Sequence, residues 1–336
     1  MAPLCCCKRS HRRVSPSSAC VQLEHVDERS EHNPGIFKEA LFRNQSGLRL
    51  HAYYACTVES PRGVIIYHHG IRTHGLFETL CAESPGGRQT CLSGSIAELF
   101  LDDGFAVYTY DCEGHGLSEG QGPRAFFQSA WDLSRDLVQF ASLVRKERPG
   151  LPVFASATSM GGGICVGAAV REPTAFNGLI LAAPMVSVER VKGKGTNRIL
   201  VPIAPRLLGC CPCARKWRLV AFPAAPDENA RKTFREDPLT ESNAKMMAGP
   251  SFAAMTFCID LVRELENLST PFLTMHARDD TFTDFASSEM LMAHASAKDK
   301  TLLEPPPGSH HALFSDEASR EWARTAVRDW LGKRCS

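Results

Sequence analysis

No apolar run in this chain approaches the roughly 18 to 20 residues that a helix needs to cross a bilayer. Met1–Ala19 also lacks the uninterrupted apolar stretch of a secretory signal. With neither a spanning helix nor an export signal, the expected location is the cytoplasm. Neither sign of charge is in excess: 38 Lys and Arg face 37 Asp and Glu, a formal net charge of +1. No global field draws such a molecule to nucleic acid, so no nucleic-acid partner is expected. Glycine does not follow Met1, which removes an N-myristoyl anchor. Cys210, Cys211 and Cys213 lack a second ligand pair at zinc-site spacing, and the spacing of Asp111 and His115 matches no recognised ligand set. No metal is expected, and no cofactor.

What is present is enough apolar material, 43% of 336 residues, for one large domain or a domain with an insertion. The 14 cysteines are scattered through core-like and loop-like segments, as free thiols of a reducing compartment are. Cys5, Cys6 and Cys7 differ, because Lys8, Arg9, His11, Arg12 and Arg13 follow them. Acylated thiols beside a basic patch would give two weak membrane signals and a tether by N-terminal palmitoylation. A flexible tail with incidental cysteines accounts for the same residues.

Residues 1–35 read as a flexible leader, with folding starting near Phe37. Strands are expected at Leu41–Arg43, Leu48–Ala55, Gly63–His68, Phe105–Tyr110, Pro152–Ala157, Leu179–Ala183, Pro271–His276 and Lys300–Glu304, the first two joined by a turn at Asn44–Gly47. Leu133, Leu137, Phe140 and Val144 share one helical face, and Pro149-Gly150 ends that helix. Strand, helix, strand in alternation predicts an α/β protein: a mostly parallel central sheet flanked by helices, with its site at the carboxyl ends of the strands.

Between Pro184 and about Phe257 no strand is expected, and residues 185–256 read as a cap inserted into a core formed by 36–184 and 257–336. Within it Ile199, Leu200, Ile203 and Leu207, with Val201 and Leu208, are apolar enough to line an acyl-chain channel or to rest on a membrane; packing of cap on core is the commoner use of such residues. A smaller insertion, Cys81–Gly94, suggests no function.

The chemistry concentrates in Ala157-Thr158-Ser159-Met160-Gly161-Gly162-Gly163, a strand, sharp turn and small-residue helix start that makes Ser159 the candidate nucleophile. A serine hydroxyl needs a base and a carboxylate to orient that base. In chain order, carboxylates follow the strand Pro271–His276 at Asp279 and Asp280, with Asp284 further on; histidines follow the next strand at His310 and His311. An attacked carbonyl also needs preorganised donors. Met160 N–H supplies one, and Ile71 N–H, in His68-His69-Gly70-Ile71, is the candidate for the second. Asp111–Ser118 reads as a loop under the floor of the site.

Taken together, His69–His74, Asp111–Ser118, Ser159–Gly162, Asp237-Pro238-Leu239, Ala277–Thr283 and Gly308–Leu313 resemble the monoacylglycerol lipase and lysophospholipase family of α/β-hydrolases, from about residue 37 onward. The resemblance implies the α/β-hydrolase fold with a helical cap, Asp280 as the acid and His311 as the base, since the family's G-x-x-D and G-x-x-H-x-L patterns fall on Ala277–Asp280 and Gly308–Leu313. It also implies a lipid ester substrate, a monoacylglycerol or lysophospholipid, cleaved through an acyl-enzyme. The chain departs from the family at Ala157 and Ala277, where glycine is usual. Serine at the turn argues against epoxide hydrolase chemistry. A thioesterase acting on acyl-protein or acyl-CoA, or an inactive hydrolase fold used as a ligand receptor, is the rival reading.

Overall fold

The computed structural model describes residues 22–188, 208, 212–221, 228–305 and 317–335. Its strands are β1 Glu24–Val26, β2 Lys38–Arg43, β3 Arg49–Ala55, β4 Val64–His68, β5 Cys81–Ala82, β6 Gln89–Cys91, β7 Ala106–Tyr110, β8 Val153–Thr158, β9 Gly178–Ala182, β10 Arg218–Ala221, β11 Lys245–Met247, β12 Phe272–Met275 and β13 Lys300–Leu303. Nine form one sheet in the order β1-β2-β3-β7-β4-β8-β9-β12-β13. From β7 to β13 every pair is parallel; the β1, β2, β3 end is antiparallel.

The parallel strands β4, β7, β9 and β12 are buried at every position. Such strands read as unbroken apolar runs because helices cover both faces. Strand alternation then divides each run: Val64 and Ile66 join one core with Ala155 and Leu181, while Ile65 and Tyr67 join the other with Phe154 and Ile180. The first core is covered by α3 Ala130–Glu147 and α4 Met160–Arg171, and by a later helix over Ala248–Glu264. Leu133, Leu137, Phe140 and Val144 of α3 are fully buried, on the single face that their spacing predicts. Each contributes about 1.5–3 kcal/mol of transfer free energy. The second core is covered by α2 Ile96–Asp102 and the C-terminal helix over Glu317–Gly332, whose Trp330 packs edge-on against Phe154. This is the architecture of an α/β-hydrolase, as the resemblance implies. The hairpin turn lies at Asn44–Gly47, closed by Gly47 N–H to Asn44 O at 2.9 Å, with Gly47 at φ +81°.

Three elements differ from the expectation. Folding begins before Phe37: β1 pairs with β2, Leu23 is buried in the first core, and Asn33 donates to Phe37 O and to Glu39. Polar contacts hold that segment, so its few apolar residues gave no signal. Between Pro184 and Phe257, β10 and β11 pair antiparallel; β10 leaves Leu219 and Ala221 exposed, so it lacks the buried apolar run that marks a core strand. The expected boundary at 256/257 falls within the Ala248–Glu264 helix, whose Phe257 contacts Gly163 and Gly167 of α4 and Trp131 of α3. In chain order the remaining helices are α1 Gly75–Thr79, α5 Glu228–Glu236, α6 Ala248–Glu264, α7 Ala286–His294 and α8 Glu317–Gly332. The Cys81–Gly94 insertion is a small hairpin of β5 and β6.

Candidate active site

Between β8 and α4 the chain turns within one residue. Ser159 has φ 55° and ψ −122°, a conformation that costs a non-glycine residue roughly 1–3 kcal/mol and clusters at functional sites. Packing holds it there: Ser159 N–H donates to Ala182 O at 3.0 Å, and its carbonyl accepts from Met185 N–H at 2.9 Å. The Ser159 side chain makes no capping bond to α4, although serine is a favoured cap. The glycines behind it admit close approach. A Cβ on Gly161 would stand 2.3 Å from His68 O, and one on Gly163 2.3 Å from Met185 O. Ala157, where the family usually has glycine, is buried in the β8 ladder between His68 and Leu181.

The loop after β4 lies against this turn. A Cβ placed on Gly70 would sit 3.7 Å from Ser159 Cβ and 3.6 Å from Thr158 O. Ile71 follows Gly70, and Met160 opens α4; neither N–H meets a hydrogen-bond acceptor among the described residues. Glu78 of α1 clamps the loop: its Oε1 accepts from Gly70 N–H at 2.7 Å and from Thr73 Oγ1 at 2.5 Å, and its Oε2 from Tyr67 OH at 3.0 Å. Tyr67 OH also bonds Thr158 Oγ1, so the clamp reaches the residue before Ser159. Burial raises the Glu78 pKa, and the hydrogen bonds offset only part of that rise.

Below, His69 Nε2 accepts from Cys112 N–H at 3.0 Å, which leaves the proton on Nδ1 to be donated to Gly70 O at 2.8 Å. Burial lowers the pKa of His69, and it pushes His68 and His115 down to about 4, so all three are neutral struts. Asp111 braces the loop from beneath. It accepts from Gly75 N–H, Leu117 N–H and Tyr53 OH, which ties the Asp111–Ser118 segment to β3 and to the start of α1. No group of residues suited to a metal ion occurs among the described residues.

The long connection between β9 and β12 is fastened to these loops by polar contacts. His74 accepts from Phe77 N–H at Nδ1 and donates from Nε2 to Asp237 at 3.2 Å. Burial alone would raise the Asp237 pKa, but the His74 hydrogen bond and charge outweigh it and leave the carboxyl below its usual range. Arg72 donates to Glu241 O, and Arg124 to Leu239 O.

At the carboxyl edge, Ala183 N–H bonds Met275 O and His276 N–H bonds Leu303 O. The ends of β9, β12 and β13 are thus in register with Ser159. The loop after β12 carries the three aspartates, and burial separates them. Asp279 is exposed, and Asp284 accepts from Ala286 N–H at the start of α7. Asp280 is 1% exposed, its Oδ1 accepting from Phe282 N–H at 2.7 Å and Thr283 N–H at 3.2 Å, its Oδ2 from Thr283 Oγ1 at 2.8 Å. His276, also buried, stands 3.5 Å from Oδ2 and bonds Ser288 Oγ through Nδ1. His310 and His311 lie outside the described residues, on the chain that continues from β13; so do Ile199, Leu200, Ile203, Leu207, and Cys5, Cys6 and Cys7.

The sequence model of the family described as serine aminopeptidase, S33, matches residues 87–318, more than half of the chain. The chain belongs to that family. It is 27% identical over 275 residues to the monoglyceride lipase of Rattus norvegicus, covering 81% of this chain and 83% of that protein, and 26% identical to that of Homo sapiens over the same length. Among solved structures it is similar to the soluble variant of monoglyceride lipase from Saccharomyces cerevisiae, solved with a substrate analog (TM-score 0.68, 19% identity, 96% and 99% of the two chains). It is likewise similar to the Paleococcus ferrophilus monoacylglycerol lipase (TM-score 0.64, 22% identity, 84% and 98%). This S33 hydrolase is therefore an enzyme of the serine hydrolase class with an α/β-hydrolase fold. Sequence reasoning missed its Glu78, Tyr67, Thr158 and His276, whose contacts join segments that no motif spans.

Proposed function

We propose that this S33 hydrolase cleaves a lipid ester, a monoacylglycerol or lysophospholipid, through an acyl-enzyme on Ser159. His311 takes the Ser159 proton as the hydroxyl attacks, and Asp280 orients the imidazole. Ile71 and Met160 N–H receive the oxyanion; His311 then returns the proton to the leaving alcohol, and water repeats the cycle to release the fatty acid. The observation that carries the reading is the strained Ser159 at the end of β8, its hydroxyl not spent on capping and Gly70 packed beside it. The buried, hydrogen-bonded Asp280 on the same sheet edge supports its role over that of Asp279. The lipid substrate rests on the monoglyceride lipases to which the chain is similar, and on residues 185–256 acting as a cap, with Ile199, Leu200, Ile203 and Leu207 lining the acyl channel.

The test is hydrolysis by wild type and Ser159→Ala across monoacylglycerols, lysophospholipids, short aryl esters and acyl thioesters. Long-chain glycerol or lysophospholipid esters should be preferred, with the variant folded and inactive. Preference for thioesters would replace the substrate class and keep the nucleophile; turnover retained by the variant would refute the assignment of Ser159.

A further inference from the structure

The Cys81–Gly94 hairpin is unused by the mechanism, yet it occupies a sensitive position. It leaves directly from α1, the helix whose Glu78 holds Gly70. Its turn, closed by Gly87 N–H to Ser84 O at 2.9 Å, presents Gly86 at φ +76° to the insertion between β9 and β12; a Cβ there would meet Lys232 of α5 at 2.8 Å. The hairpin is thus a further link between the loop beside Ser159 and α5, in addition to the packing of Phe77 on Phe234 and the His74–Asp237 bond.

At its base, Cys81 and Cys91 are directly opposed in antiparallel register, and both are free and half-buried. Opposed residues of an antiparallel pair have Cα atoms about 4.5–5.5 Å apart, inside the roughly 4.4–6.8 Å that a disulfide spans. The Cys81 thiol faces the opposing strand, its Sγ 3.4 Å from Cys91 O. Cys81 Sγ further approaches Ser93 O at 2.8 Å, which fixes it at the hairpin base. The register thus sets the two backbones at the spacing a disulfide spans.

We propose that Cys81 and Cys91 are a redox modification site, a cross-strand pair that small disulfides of the glutathione class convert to an intramolecular disulfide, pinning the hairpin between the oxyanion loop and α5. The thiolate of one cysteine attacks a glutathione disulfide sulfur, and one glutathione thiolate leaves. The second cysteine, on losing its proton, attacks the protein sulfur of the mixed disulfide and expels the second glutathione. The protein gives up two electrons and two protons; one glutathione disulfide is reduced to two thiols.

The full-length enzyme is incubated with glutathione disulfide, blocked with N-ethylmaleimide and digested with trypsin. Arg72, Arg88 and Arg124 place the two cysteines on separate peptides, residues 73–88 and 89–124. In the oxidised wild type these peptides should run as one species, about 2 Da lighter than the sum of the reduced pair. Reductant should separate them, and Cys91→Ser or Cys81→Ser should abolish the species. Exposed Cys213 reports that the oxidant acted. Recovery of Cys81 and Cys91 unmodified, or as separate glutathione adducts, while Cys213 is modified would overturn the site. Turnover of an aryl ester should fall severalfold on oxidation, recover with reductant and stay constant in Cys91→Ser. A disulfide formed with turnover unaltered would overturn the link to the oxyanion loop. Only the turnover arm rests on the ester-hydrolase reading; peptide mapping decides the pairing even if no ester is cleaved.

Discussion

Replacing Glu78 by Ala and by Gln separates shape from charge in the loop beside Ser159. In Glu78→Ala, Tyr67 OH keeps its bond to Thr158 and Thr73 keeps its bond to Gly70 O, but Gly70 N–H loses its acceptor at 2.7 Å. An orphaned buried donor costs about 1–3 kcal/mol, and the cavity left by the side chain adds on the order of 1 kcal/mol. The loss of stability should therefore be about 2–4 kcal/mol, with a loop free to drift from Ser159. Since a misplacement of about 1 Å costs up to roughly a hundredfold in rate, kcat should fall about ten- to hundredfold with KM little changed. Glu78→Gln behaves differently. Its carbonyl oxygen can take the place of Oε1 toward Gly70 and Thr73, and its amide can donate to Tyr67 OH, whose own proton turns to Thr158. It also removes the burial cost that raises the Glu78 pKa. Gln should therefore keep wild-type stability and kcat within about threefold, because only the charge assistance of the clamp is lost. Urea unfolding and steady-state aryl ester hydrolysis decide it: an alanine variant with unchanged kcat, or a glutamine variant as impaired as alanine, refutes the clamp.

If Asp280 orients the base, Asp280→Asn should lower kcat by roughly a thousandfold or more at unchanged fold, measured by the same assay and circular dichroism; a drop below about tenfold would move the role elsewhere. Burial, with the charges of neighbouring carboxylates, pushes Asp136 up to about 7. A folded pKa above the unfolded one makes the group's contribution largest below about pH 4 and lost as pH rises to about 7. Asp136→Asn keeps the Asn44 bond, so its stability advantage over wild type should grow by about 2 kcal/mol between about pH 5.5 and about pH 8, read from urea midpoints; a gap independent of pH would contradict this. If Cys5, Cys6 and Cys7 are acylated, their replacement by serine should move the protein from membrane to soluble fractions; an unchanged membrane share refutes the tether.

Elements with a purely local signature were legible in the sequence. The eight expected strands are all present: β4, β7, β9 and β12, buried at every position, are apolar runs bounded by glycine, proline or a helix, while β2 and β3 flank the turn that Asn44–Gly47 marks locally. β1, β5, β6, β10 and β11 were not, since each is short, lacks a fully buried apolar run and is defined by its partner: Glu24 by Leu41, Cys81 by Cys91, Arg218 by Met247. The same division runs through the candidate site. Ser159 stands in a strand, turn and helix that announce themselves in sequence, and its positive φ is the structural form of that announcement. Asp279 and Asp280 are chemically identical neighbours, and only burial against Thr283 and His276 separates them. Glu78 carried no signal at all: eight residues beyond Gly70, it matters because α1 folds it back under β4, where Tyr67 and Gly70 both end as its donors. Motifs locate the atoms that react, because the turn geometry they require restricts nearby residue types. The groups that hold those atoms still are free to come from any segment the fold brings past.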